Sequence, residues 1–165
     1  MARLQTGRSG VAWVAPENFH LTLKFLGHVD QSRLESVQAA LASAVGGSPR
    51  FELTCAGLGA FPTAGRPRVI WAGVRDGAET ATRLAQVVER ALAPLGFEPE
   101  GRAFSAHITL GRLRVPGRDP ALATALEAAG GRVFGSTPID RVALMRSDLS
   151  PRGARYTELS AFPLG

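Results

Sequence analysis

The sequence predicts an α+β fold: one compact domain made of two lobes. Stretches of apolar residues at strand period and at helical period take turns along the chain. Connections of hairpin length between them favour α+β over a doubly wound parallel sheet. The stretch Phe19-His20-Leu21-Thr22-Leu23 returns as Ala106-His107-Ile108-Thr109-Leu110, so that both copies read His-apolar-Thr-Leu. With 165 residues, 45% of them hydrophobic and 20% charged, the chain has enough apolar surface for a real core, and no low-complexity linker divides it.

In chain order, Met1–Gly10 is polar and contains Gly7 and Gly10, which reads as a frayed arm or the tail of a helix. Val11–Val14 is a short strand closed by Ala15-Pro16-Glu17-Asn18, and Phe19–Leu26 alternates as a second strand ended by Gly27. In that strand Leu21 and Leu23 share one face, and His20, Thr22 and Lys24 the other. Asp30 and Ser32 offer helix-start chemistry before Arg33–Val45, where Leu34, Val37, Leu41 and Val45 recur at helical spacing up to Gly46-Gly47. Phe51–Cys55 and the β-branched run Arg68–Val74 are strands joined through a turn at Thr63–Pro67. Leu84, Val87, Val88, Ala91, Leu92 and Leu95 mark a long helix from Ala78 to Leu95. A strand over Ala106–Leu113 follows, then a helix from Pro120 to Ala129, and strands over Ile139–Arg146 and Tyr156–Phe162 joined by a loop through Ser147–Gly153.

No run approaches the roughly 18–20 apolar residues that span a bilayer, and the N-terminus lacks the apolar segment of a secretory signal. A soluble, cytoplasmic protein is expected. Cys55 is the sole cysteine, which excludes an internal disulfide and a thiolate metal cluster. The net charge of +5 favours an anionic partner such as RNA, DNA or a phosphorylated metabolite. Lys24 is the only lysine in an Ala- and Gly-rich chain, so compositional bias supplies part of that excess.

Two of the three histidines, His20 and His107, occupy the repeated setting, each with a threonine two residues on along the same strand face. Histidine exchanges a proton near neutrality, so a facing pair can serve as acid and base in one displacement. Thr22 and Thr109 can donate hydroxyl hydrogens to a phosphoryl oxygen, stabilising charge without a metal. His28 follows Gly27 in a loop with no companion feature and stays outside the site. No carboxylate stands beside either motif histidine, and no His-Glu-x-x-His, Gly-x-Ser-x-Gly or Walker-type loop occurs. Gly57-Leu58-Gly59 meets Pro62 where a dinucleotide fingerprint needs its third glycine. No metal and no cofactor are expected.

The two His-x-Thr motifs resemble those of the two-histidine phosphoesterases. The resemblance is to the branch of bacterial and archaeal RNA 2′,3′-cyclic phosphodiesterases, also named 2′-5′ RNA ligase-like proteins. It extends through Trp13-Val14, Pro16-Glu17-Asn18, Lys24-Phe25-Leu26-Gly27, Gly59-Ala60-Phe61-Pro62, Pro67–Val74 and Leu149-Ser150-Pro151 to Phe162-Pro163-Leu164. It implies two pseudo-symmetric lobes, each with an antiparallel-rich sheet and helices on the outer face, and an active-site groove between them. It also implies opening of an RNA terminal 2′,3′-cyclic phosphate by water to a 2′-phosphate, with His20 as general acid and His107 as general base. The pseudo-symmetry leaves the two roles interchangeable on paper. The expected partner is RNA with such an end, and a monomer is expected. Alternatives are 2′-5′ RNA ligation, hydrolysis of another 2′-5′ or cyclic phosphodiester, and a non-catalytic RNA-binding module.

By the same resemblance Arg112 binds phosphate and Phe25 stacks on a base. Strict alternation puts Arg112 on the face opposite His107, so it reaches a phosphate only if the strand twists or bulges near Gly111. Phe25 at a strand end reads equally as core. Arg152 and Arg155 are candidates to line an RNA groove, as are Arg66 and Arg68 about Pro67, or all four are solvated surface arginines. Trp13 and Trp71 lie in apolar strands and are expected in the core. Members of the resembling family begin with an apolar strand and a helix ahead of the segment matching Val11–Val14. The expectation here is a domain over residues 1–165 without them, with a sheet edge left exposed.

Overall fold

A computed structural model describes residues 10–150 and 153–165. The polar arm read over Met1–Gly10, apart from Gly10, and the candidate Arg152 lie outside them. The elements are β1 (Val11–Trp13), α1 (Leu34–Val45), β2 (Phe51–Thr63), β3 (Arg66–Val74), α2 (Ala78–Leu92), β4 (His107–Leu113), α3 (Pro120–Ala128), β5 (Val133–Ile139), β6 (Arg141–Ser150) and β7 (Gly153–Pro163). One sheet has the order β1-β4-β3-β2-β5, and β6 and β7 form a second. The pairs β1–β4, β2–β3, β3–β4 and β6–β7 are antiparallel, and the fold is α+β.

The chain divides into two compact units, each drawn from three segments. The first comprises the chain up to Leu21, Thr54–Arg75 and His107–Gly135. Its core joins Val11, Ala60, Ile70, Ala72 and Leu110 from the sheet to Leu122 and Leu126 of α3, so the helix covers one sheet face. Asp119 caps α3, its carboxylate accepting from the Leu122 N–H at 2.9 Å, and Pro120 tolerates the first turn because its missing N–H has no partner there anyway.

The second unit comprises Thr22–Leu53, Asp76–Ala106 and Ser136–Gly165. Val37, Leu41 and Val45 of α1 and Leu84, Val88 and Leu92 of α2 meet Val142, Leu144 and Phe162 of the β6–β7 hairpin. All six helix residues belong to the apolar stripes that the helical spacing marks, whereas Leu34, Val87 and Ala91 of those stripes are only half-buried. Within this unit Lys24, expected beside His20 and Thr22 on one strand face, turns inward. Its side chain is 2% exposed, and Nζ donates to Glu89 Oε1 at 2.8 Å and to the Glu98 carbonyl at 2.7 Å.

Four elements differ from expectation, the first being β2, which runs on to Thr63 where a strand over Phe51–Cys55 is expected. Phe19–Leu26 is not a ladder strand, since its only bridge is the antiparallel pair Leu21↔Ile108. The alternation is genuine, but it serves two cores: Phe19 packs into the first, and Leu23 and Leu26 into the second. The strand read over Ile139–Arg146 breaks at Asp140, and β5 precedes it. That strand is mostly exposed and carries Gly135 and Pro138, so it shows no apolar face to the eye. The loop read over Ser147–Gly153 is mostly strand, with pairing that continues to Ser150↔Gly153.

Candidate active site

The site is built on β4. Cross-strand partners in an antiparallel sheet project from the same face. Gly73 pairs with His107 and Trp71 with Thr109, while Ala72 pairs with Ile108, which packs into the core on the α3 side. His107 and Thr109 therefore stand on the face that α3 leaves uncovered, and both are half-buried. Next along the strand, Ile70 pairs with Gly111, so Leu110 is the extra residue of a β-bulge. The following pair is Val69↔Arg112. One added residue reverses the alternation and turns Arg112, which is exposed, onto the face of His107 and Thr109. The bulge that phosphate contact by Arg112 requires is present at the expected place.

His20 reaches the same unit through the Leu21↔Ile108 bridge, each histidine being one residue from a bridged partner. Residues so placed are diagonal neighbours, roughly 7–8 Å apart in backbone position and on the same side. His20 Nδ1 lies 2.8 Å from the Asn18 carbonyl oxygen. A carbonyl only accepts, so Nδ1 carries the hydrogen and Nε2 is the atom that exchanges a proton with anything outside. The turn Pro16–Asn18 presents that carbonyl, which explains locally why Pro16-Glu17-Asn18 precedes the motif.

Two aromatic residues join this face that the sequence reading leaves out of the site. The Phe61 ring meets His107 edge-on with centroids 5.0 Å apart, and Trp71 lies 6.4 Å from His107 and 5.3 Å from Phe61. Trp71 was expected in the core with Trp13. Trp13 does pack against the α3-side cluster, but Trp71 projects from the opposite face because it pairs with Thr109. Its indole lies across Gly59, where a Cβ would collide with the ring, and along Gly73, where a Cβ would come within 2.9 Å of the Ala56 carbonyl and 3.4 Å of the indole. The signal in the sequence is the pair of glycines opposite and beside the tryptophan, which becomes readable only once register is known.

The remaining candidates fall elsewhere. Thr22 opens the second unit, half-buried; Phe25 belongs to that unit with 71% of its surface exposed, so it is not core; Arg155 is exposed on β7. His28 lies 3.6 Å from Asp30 on the surface. Arg68 is the extra residue of a second register shift, between β2 and β3. Burial pushes the Cys55 thiol up from its ordinary range, which makes it a poor nucleophile. Among the described residues no group of three His, Cys, Asp or Glu side chains could hold a metal ion, and no helix is long and apolar enough to cross a membrane.

The family model described as LigT-like phosphoesterase matches residues 1–71 and 73–156. An RNA 2′,3′-cyclic phosphodiesterase of Aeropyrum pernix is 39% identical over 146 residues, 88% of this chain and 82% of its own length. One of Archaeoglobus fulgidus is 39% identical over 157 residues, 95% of this chain and 86% of its own. Among solved structures, TT0787 of Thermus thermophilus superposes with a TM-score of 0.78 at 30% identity, covering 94% of this chain and 82% of that one. Escherichia coli LigT complexed with 3′-AMP gives 0.73 at 27% identity, with the same two coverages. With the paired His-x-Thr motifs in place on such a frame, this chain belongs to the LigT-like phosphoesterase family.

Proposed function

We propose that the protein hydrolyses the 2′,3′-cyclic phosphate at the end of an RNA to a 2′-phosphate. The observation that carries this reading is the single bridge Leu21↔Ile108, which sets His20 and His107 on one side as diagonal neighbours, beside Thr109 and the bulge-turned Arg112. The names of the relatives from Aeropyrum and Archaeoglobus support the same reaction.

In this mechanism His107 takes a proton from water as its oxygen attacks phosphorus. The bond from phosphorus to the 3′-oxygen breaks, and His20 Nε2 gives that oxygen its proton, leaving a free 3′-hydroxyl and a 2′-phosphate. Thr22, Thr109 and Arg112 donate to the non-bridging oxygens, where charge builds up. Phe25 offers an exposed ring for the terminal base, and Arg155 a charge for the RNA. The substrate is a cytoplasmic RNA end, and the protein acts as a monomer without metal or cofactor.

The test is turnover of an oligonucleotide with a cyclic phosphate end in the presence of a chelator. His20→Ala and His107→Ala should each lower kcat/KM by roughly 10²- to 10⁴-fold. Full activity in either variant sinks the mechanism.

A further inference from the structure

We infer that Arg66 and Arg114, together with Arg112, form a track on the His107 face that holds backbone phosphates of the RNA upstream of its reacting end. This rests on the cyclic phosphodiesterase reading and extends it from the terminal phosphate to the body of the substrate. The placement comes from a second register shift. Phe61 pairs with Val69 but Pro62 pairs with Pro67, so Arg68 is taken up as an extra residue in β3. The next pair is Thr63↔Arg66, which puts Arg66 on the side of Phe61, Trp71 and His107. Thr63 Oγ1 accepts from the Arg66 N–H at 3.3 Å and helps close the hairpin there.

Arg114 arrives by plain alternation. Ala12 pairs with Arg112 and Val11 with Leu113, and the Arg114 N–H donates to the Gly10 carbonyl at 2.9 Å, so strand-like pairing continues one residue past β4. Two residues beyond Arg112, Arg114 shares its face, about 7 Å farther along the strand. Beyond Val69↔Arg112, the last pair of the β3–β4 ladder, Arg66 and Arg114 lie toward the same end of neighbouring strands and on the same face. All three arginines are exposed, and among the described residues no carboxylate forms an ion pair with any of them.

Like charges in neighbouring rows of a sheet repel. An anion lying between Arg66 and Arg114 removes that repulsion, and arginine's fork of donors matches a phosphate. From His107 and Thr109 through Arg112 to this pair, the face offers a line of donors that a mononucleotide fills only at its first position. An extended single strand, with a phosphate at every nucleotide, can occupy the whole of it.

The experiment measures binding and turnover of a mononucleotide 2′,3′-cyclic phosphate and of a short RNA with the same end. The doubly substituted Arg66→Gln, Arg114→Gln protein is compared with wild type, and with an Arg83→Gln, Arg90→Gln control that removes two charges from α2. The Arg66/Arg114 variant should bind the RNA at least several-fold more weakly, lose more on RNA than on mononucleotide, and show a logarithmic salt slope shallower by about 1.4 for two lost contacts. Equal losses on both ligands, an unchanged salt slope, or an equal loss in the control would overturn the track. A wild-type protein that hydrolyses neither ligand refutes the cyclic phosphodiesterase reading. Binding of the RNA and its salt slope decide the track separately in that case.

Discussion

Gly59 is the residue whose side chain, a single hydrogen, most directly conditions the site. The Trp71 indole occupies the space above it, and Trp71 and Phe61 both lie against His107. Gly59→Ala should displace the indole, costing about 1–3 kcal/mol of stability from overpacking. It should lower turnover as well, because the rings that border His107 must shift. Gly47→Ala, where nothing lies within 4 Å, is the control and should change neither. Thermal melts and kcat measured on both variants check this. The candidate pair His20 and His107 was legible in the sequence because the motif repeats. Their ring neighbours were not, since a tryptophan in an apolar strand reads as core until its cross-strand partner is known.

At the scale of elements, helices were the legible part. Most of the predicted stripes of α1 and α2 are buried in the second core, all but Leu34, Val87 and Ala91, because helical periodicity is decided by neighbours three and four residues away. Strand faces were harder, since one extra residue inverts everything downstream and leaves no trace in composition. Arg112 shows this well: its expected role demanded a bulge near Gly111, and the register shift at Leu110 supplies it. The segment after His20 shows the opposite failure, where correct alternation described a crossing between two cores rather than a ladder strand. Lys24 fastens that segment to α2 through Glu89, with its side chain only 2% exposed. Lys24→Ala leaves Glu89 without its cation and should cost about 3 kcal/mol. For a chain of this size that lowers Tm by about 6–12 °C, measured by calorimetry. Pairing Lys24→Met with Glu89→Leu should recover much of the loss.

For the molecule as a whole, the family model matches two consecutive stretches, residues 1–71 and 73–156, whereas each compact unit draws residues from both. The first unit needs His107–Gly135 from the later stretch, and the second needs Thr22–Leu53 from the earlier one. The boundary between units even falls inside the first motif, leaving His20 in one and Thr22 in the other. Neither matched stretch of the polypeptide is thus a folding domain in its own right, and shortly past their junction the chain passes an exposed point, Arg75 and Asp76. The consequence is fragment complementation. Residues 1–75 and 76–165 expressed separately should each fail to give an active protein. Co-expressed, they should assemble into one that copurifies and turns over substrate, with the missing peptide bond replaced by the contacts that each fragment makes within each core.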